Sequence, residues 1–139
     1  TPVILGVAER ISQMVRMPLE NAEPFQIVHY NVGQEYGYHF DAFDKNDSHH
    51  NDNYVKTGGQ RLLTVLGYLR DVPKGGETGF NRLGLSVQPK MGSIIVWYNC
   101  KPETNVRDEF SQHAGLPVLE GEKYAFNLWF REEKFSNDN

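Results

Sequence analysis

His39 and Asp41 stand one residue apart within Tyr36 to Phe43, an extended run rich in aromatic residues. Side chains two positions apart on a strand leave the same face, so this imidazole and carboxylate can reach one cation. That donor pair suits a borderline divalent ion such as Fe(II), Mn(II) or Zn(II). A hydrogen-bonded pair at a strand end would use the same residues, and His-x-Asp arises readily by chance at this composition. His113 supplies a third donor. It precedes Ala114-Gly115-Leu116-Pro117-Val118, a turn leading toward a strand, from which its side chain can face a cavity. Two imidazoles and one carboxylate on one side of an iron leave the opposite positions open for a co-substrate and dioxygen. Four protein ligands would close the site and leave a structural role.

Lys123 follows the Glu120-Gly121-Glu122 turn and opens the last strand. Lysines at strand starts are ordinarily solvated. Here Lys123 shares parity with Ala125, Asn127 and Trp129, while Tyr124, Phe126, Leu128 and Phe130 read as core. Lys123 thus falls on the less apolar face, where an anion's carboxylate can pair with it. Other candidates carry less. His49 and His50 lie among Asp44, Asp47 and Asp52, but a calcium loop needs a glycine at its sharp turn and a closing Glu; a solvated loop is expected. His29 reads as a core or strand-face histidine. Cys100 has only Lys101 as a basic neighbour and no partner histidine in its segment, which argues against a catalytic thiol. Gly75-Gly76-Glu77-Thr78-Gly79 lacks the ending of a phosphate loop.

The elements that must position these residues are few. A chain of 139 residues suits a single domain, 1–139, with one core and one pocket. A net charge of −4 argues against a groove tracking nucleic-acid phosphates as the main business. No apolar run approaches a membrane span. The single cysteine excludes a disulfide framework and, with no signal peptide in view, leans toward a cytoplasmic protein. The first residues read as the interior of a domain, so a trimmed upstream stretch is expected. Ile4, Val7, Ala8, Ile11, Met14 and Val15 repeat at helical spacing, which predicts a helix over 2–17, capped by Thr1, started by Pro2 and stopped by Pro18. From about 24 to 131 the pattern is one of short strands. Arg61 to Leu69 is apolar on both parities, as a strand buried on both faces would be. Asp71 to Gly76 reads as a turn, and Asp44 to Gly59 as a long polar loop of functional or mobile kind. The class expected is mainly β, a sandwich or jelly roll with an N-terminal helix packed on one sheet.

Together these pieces resemble a family. Tyr30-Asn31-Val32-Gly33-Gln34-Glu35-Tyr36-Gly37-Tyr38-His39-Phe40-Asp41 resembles the first metal motif of the prolyl 4-hydroxylase group of 2-oxoglutarate, iron(II)-dependent oxygenases. Gly59-Gln60-Arg61 through Leu69, then Gly75-Gly76-Glu77-Thr78, is similar to its central strand and turn. His113-Ala114-Gly115-Leu116-Pro117-Val118, Gly121 and Lys123 match its second metal motif and co-substrate lysine. The motifs occur in the family's order between about Phe25 and Arg131.

The resemblance implies a double-stranded β-helix with Fe(II) held by His39, Asp41 and His113, and 2-oxoglutarate paired through its far carboxylate with Lys123. It implies that Tyr30, Thr78 and Trp129 also line that pocket, and that Tyr36, Arg61 and Arg131 lie toward a peptide groove, to which Tyr36 and Trp129 would contribute aromatic surface. It implies a procollagen-proline 4-dioxygenase-like enzyme that uses dioxygen, 2-oxoglutarate and ascorbate, releases succinate and carbon dioxide, and hydroxylates peptidyl proline. Related halogenases lack the carboxylate, so Asp41 favours hydroxylation. The expected partner is a proline-containing peptide or protein, with neither nucleic acid nor membrane; the oligomeric state is left open. Two alternatives stand beside it: the same chemistry on another amino-acid side chain or a small molecule, and a non-catalytic jelly-roll module that binds a metal or ligand.

Overall fold

The computed structural model describes residues 1–47 and 56–137. Its first element is helix α1 (Pro2–Val15). Thr1 Oγ1 accepts from the Ile4 amide at 3.4 Å, and Pro2 occupies the first turn, where its missing N–H costs nothing. The helix ends earlier than Pro18 would require. Arg16 takes a left-handed conformation (φ 56°) and returns its N–H to the Ser12 carbonyl, which closes the helix two residues before the proline. The apolar stripe is narrower than its periodicity suggests. Ala8 and Ile11 are buried, whereas Ile4 and Met14 stay more than half exposed, at 54% and 55%.

The helix packs on a four-stranded antiparallel sheet built from β1 (Gln26–Tyr30), β3 (Arg61–Tyr68), β7 (Ile94–Tyr98) and β10 (Lys123–Arg131), in the order β1-β10-β3-β7. Alternation decides what each face buries. Leu63 and Val65 of β3 and Phe126, Leu128 and Phe130 of β10 pack with Ile11 beneath the helix. The opposite parity, with Leu66, Tyr68 and Ala125, faces the interior between two sheets. That is why β3 is apolar on both parities. Gly67 belongs to the helix-side parity and carries no side chain for a reason: a Cβ there would lie 2.1 Å from the Phe126 ring.

The second sheet contains β2 (Tyr36–His39), β5 (Thr78–Phe80), β6 (Leu85–Val87) and β8 (His113–Gly115), ordered β2-β8-β5-β6. A two-stranded ribbon pairs β4 (Lys74–Gly75) with β9 (Val118–Glu120). The glycine-rich segment read as a turn therefore supplies β4 and leads into β5. Gly75, at φ 78°, passes so close to β9 that a Cβ would sit 2.3 Å from the Pro117 carbonyl oxygen. Two facing sheets with one helix on the outer face make the expected double-stranded β-helix, or jelly roll.

One expectation changes, and the weaker candidates find their places. His29 takes the strand-face place and not the core: on β1 it is exposed, stacks on Tyr124 at 4.2 Å between ring centroids, and approaches Glu122 at 3.8 Å. His113 does not precede a strand; it begins one. Asp44 faces Arg107 at 3.6 Å, while His49, His50 and Asp52 lie outside the described residues. Cys100 is buried, and burial, aided by Glu132, pushes its thiol up to about 12, so it stays protonated and unreactive at neutral pH. No helix among the described residues is long and apolar enough to cross a membrane.

Candidate active site

His39 is the last residue of β2 and His113 the first of β8, and the antiparallel register sets them directly opposite each other. Their rings lie 4.4 Å apart between centroids. Asp41 stands just beyond the end of β2 and turns inward, buried. Each ring is steered from behind: His39 Nδ1 lies 2.7 Å from the Gly37 carbonyl oxygen, and His113 Nδ1 lies 2.8 Å from that of Ser111. A carbonyl only accepts, so Nδ1 carries a proton, and in its neutral form each ring presents an Nε2 lone pair. Both Nε2 atoms point at Asp41 Oδ1, from 3.4 Å for His39 and 3.3 Å for His113. The three ligand atoms lie within 4.8 Å of one another.

Three lone pairs converging on one point repel unless a cation or shared protons join them. Burial alone would raise the Asp41 carboxyl, but hydrogen bonds to His113 and His39 and the charge of His113 hold it well below the ordinary carboxylate range. For His113, burial favours the neutral ring and Asp41 outweighs it, raising the imidazole above its usual value. The nitrogen and oxygen donors, their spacing and their carbonyl-fixed tautomers fit a divalent first-row ion bound on one side.

Behind the carboxylate is a set of donors that sequence reasoning missed. Asp41 Oδ2 accepts from Thr64 Oγ1 at 2.7 Å and from Trp129 Nε1 at 3.1 Å. Thr64 in turn accepts from Asn99 Nδ2 at 2.8 Å. The available signal was the hydroxyl of Thr64 in the middle of an otherwise apolar strand.

The triad opens into a cavity of about 290 Å³ whose wall also includes Tyr30, Thr78, Gly115 and Lys123. Lys123 is 2% exposed. Its ammonium lies 5.5 Å from the centroid of the Tyr30 ring and 5.8 Å from that of Tyr68. Tyr68, which sequence reading left out, shares a 2.6 Å hydrogen bond with Thr78 Oγ1. Burial lowers the Lys123 ammonium to about 8, opposed in part by Glu77. Among the described residues no hydrogen bond or ion pair reaches Lys123 Nζ. A buried cation without a counter-ion is costly, and an anion entering the cavity removes that cost.

The remaining expected residues divide. Tyr36 is half-exposed at the rim and packs edge-on against His39 at 4.0 Å. Trp129 lines the cavity but cannot offer a groove surface, because its indole is tied to Asp41 and its ring lies 3.9 Å beneath the Arg61 guanidinium. Arg61 lines the cavity with its charge already engaged, Nε and Nη2 meeting Glu23 at 2.7 and 3.0 Å. Arg131 is buried, donates to Glu23 at 2.6 Å and to the Gly59 carbonyl at 2.6 Å, and takes no part in the cavity wall. Both guanidinia thus neutralise Glu23 from two sides. Glu23→Gln leaves two packed guanidinia without their anion. We expect it to lower stability by about 3 kcal/mol, read as a drop in the urea midpoint.

Comparison with known proteins converges on this arrangement. The sequence profile of the 2OG-Fe(II) oxygenase superfamily matches residues 25–131. A prolyl 4-hydroxylase candidate of Acanthamoeba polyphaga mimivirus is 39% identical over 135 residues, covering 97% of this chain and 55% of that protein. Prolyl 4-hydroxylase 2 of Arabidopsis thaliana is 33% identical over 155 residues, covering 96% of this chain and 50% of that protein. The chain thus spans about half the length of these curated relatives. Among solved structures, the viral collagen prolyl hydroxylase vCPH of Paramecium Bursaria Chlorella virus-1, in its 2OG complex, superposes with a TM-score of 0.80 at 32% identity, over 94% of this chain and 73% of that one. With the profile spanning the strands that carry both histidines, the aspartate and the lysine, this chain belongs to the 2OG-Fe(II) oxygenase superfamily.

Proposed function

We propose that the chain is a 2-oxoglutarate- and Fe(II)-dependent dioxygenase that hydroxylates peptidyl proline. The observation that carries this reading is the meeting, in one cavity, of three convergent ligand atoms and a buried lysine that makes no ion-pair contact among the described residues. Nε2 of His39, Oδ1 of Asp41 and Nε2 of His113 would hold iron from one side, leaving its other positions toward the cavity. Iron(II) bound with 2-oxoglutarate supplies an oxidation by dioxygen in which one oxygen atom enters a substrate C–H bond and the other leaves in succinate, with release of carbon dioxide. Lys123 pairs with the far carboxylate of the co-substrate, and Tyr30 and Thr78 wall the slot against water. Thr64 and Trp129 occupy Asp41 Oδ2, so Oδ1 alone faces inward.

The substrate follows from the relatives' names and the rim. Tyr36, 52% exposed, lines the cavity and packs edge-on against His39. A proline-rich segment presents a preformed extended backbone that aromatic surfaces accept at low entropic cost. The test is succinate formation from 2-oxoglutarate under Fe(II), with and without a short poly-proline peptide. The expected result is peptide-stimulated turnover with hydroxyproline in the product. Turnover stimulated by free proline or another amino acid but not by the peptide overturns the peptidyl assignment. Iron binding with no turnover under any condition supports a binding module instead.

A further inference from the structure

We propose that Thr64 and Asn99 are positioning residues that hold Asp41 as a one-oxygen ligand of the metal. The inference rests on the reading of His39, Asp41 and His113 as a metal site. Its starting point is the unequal treatment of the two carboxylate oxygens. Oδ1 faces both Nε2 atoms, while Oδ2 accepts from Thr64 Oγ1 at 2.7 Å and from Trp129 Nε1 at 3.1 Å. An ionised carboxylate only accepts, so the Thr64 hydroxyl proton is committed to Oδ2. The Thr64 oxygen is then left with lone pairs, and the Asn99 amide donates into one of them at 2.8 Å.

This order fixes the Asn99 amide. Its NH2 must face Thr64, and its Oδ1 therefore points away, fully buried and with no hydrogen-bond partner among the described residues. A buried carbonyl left without a donor costs stability, and side chains usually avoid it. Flipping the amide would set Oδ1 against the Thr64 lone pairs and turn the hydroxyl away from Asp41. Asn99 is also anchored by its backbone, which donates to the Leu62 carbonyl and accepts from the Asp108 amide, both at 2.9 Å. The orphaned oxygen is the structural cost of keeping a donor aimed at Thr64.

Two donors on Oδ2 make a chelating carboxylate unfavourable, because Oδ2 would have to surrender both hydrogen bonds to reach the metal. One-oxygen ligation leaves one more position for co-substrate and dioxygen than chelation would.

The test is a cobalt(II) titration of the metal-free chain followed by visible absorption, with His39→Ala as the control that removes the site. Thr64→Val keeps the branched shape and loses the hydroxyl, and is expected to bind cobalt about 10- to 100-fold more weakly with an altered saturated spectrum. Thr64→Ser returns the affinity to within about threefold of wild type. Asn99→Leu removes the orphaned carbonyl together with the donor, so the fold survives, and weakens binding about tenfold. Because Asn99 acts through Thr64, the double variant is no weaker than Thr64→Val alone. Wild-type affinity and spectrum in Thr64→Val, or fully additive losses in the double variant, overturn the proposal. If Thr64→Val does not fold, Asn99→Leu decides by the same comparison. A wild-type chain that binds no cobalt overturns the metal reading as well, whereas wild-type binding abolished in His39→Ala leaves that reading intact and tests the positioning residues alone.

Discussion

Lys123→Met weakens the binding of 2-oxoglutarate to the metal-loaded chain by about 100-fold or more, while the affinity for the metal itself is unchanged. The substitution keeps the length and apolar stem of the side chain and removes only the charge. In wild type that charge is 2% exposed and makes no ion-pair contact among the described residues, so a carboxylate arriving beside it forms a pair shielded from water. Removing one partner of such a pair costs about 3 kcal/mol, which corresponds to roughly the stated loss. Calorimetric titration of 2-oxoglutarate into the cobalt-loaded chain measures it. A dissociation constant within threefold of wild type rules Lys123 out as the anion's partner.

The same residue sets a pH dependence with a definite sign. Burial lowers the Lys123 ammonium to about 8 in the free pocket. Only the protonated lysine attracts the carboxylate, so affinity is flat below that pH and falls about tenfold per unit above it. Lys123→Met should abolish this slope. The ligand-free chain shows the opposite trend. Its unfolded form keeps the proton up to the ordinary 10.5 while the folded form releases it near 8, so stability rises across that interval.

Asp41→Ala is the second large effect: turnover falls about a thousandfold or more, equivalent to about 4 kcal/mol in the barrier. It removes the only charged donor of the three and the acceptor of Thr64 and Trp129 together. The loss therefore exceeds that of Thr64→Val, which keeps all three ligands and disturbs only the aim of one. Equilibrium dialysis against cobalt(II) and succinate release check the two halves separately. Undiminished metal binding in Asp41→Ala would remove the carboxylate from the ligand set.

The chemistry was more legible than the local structure. His39, Asp41, His113 and Lys123 are each weak signals alone and become legible as a set because the family motifs order them. The helix was visible in its period, and β3 and β10 in the density of apolar residues. The short strands β4, β5, β8 and β9 were not, since two or three residues show no alternation and glycines read as turns. The resemblance places Arg61 and Arg131 toward a peptide groove, whereas both are engaged by one carboxylate. Their partner, Glu23, sits in the connection before β1, and only the folded sheet brings it between them. The same holds for Thr64 and Asn99, whose function depends on facing Asp41 across the interior.

The position of β10 carries a consequence for how the protein comes into being. It follows every other described strand in the chain, yet it lies inside the sheet beneath the helix, between β1 and β3. On the ribosome β1 therefore waits without its main-chain neighbour until every other described strand has been made, and the helix has only part of its floor. Lys123 and Trp129 arrive with that final strand. Neither the anion slot nor the full setting of Asp41 therefore exists before the sheet closes.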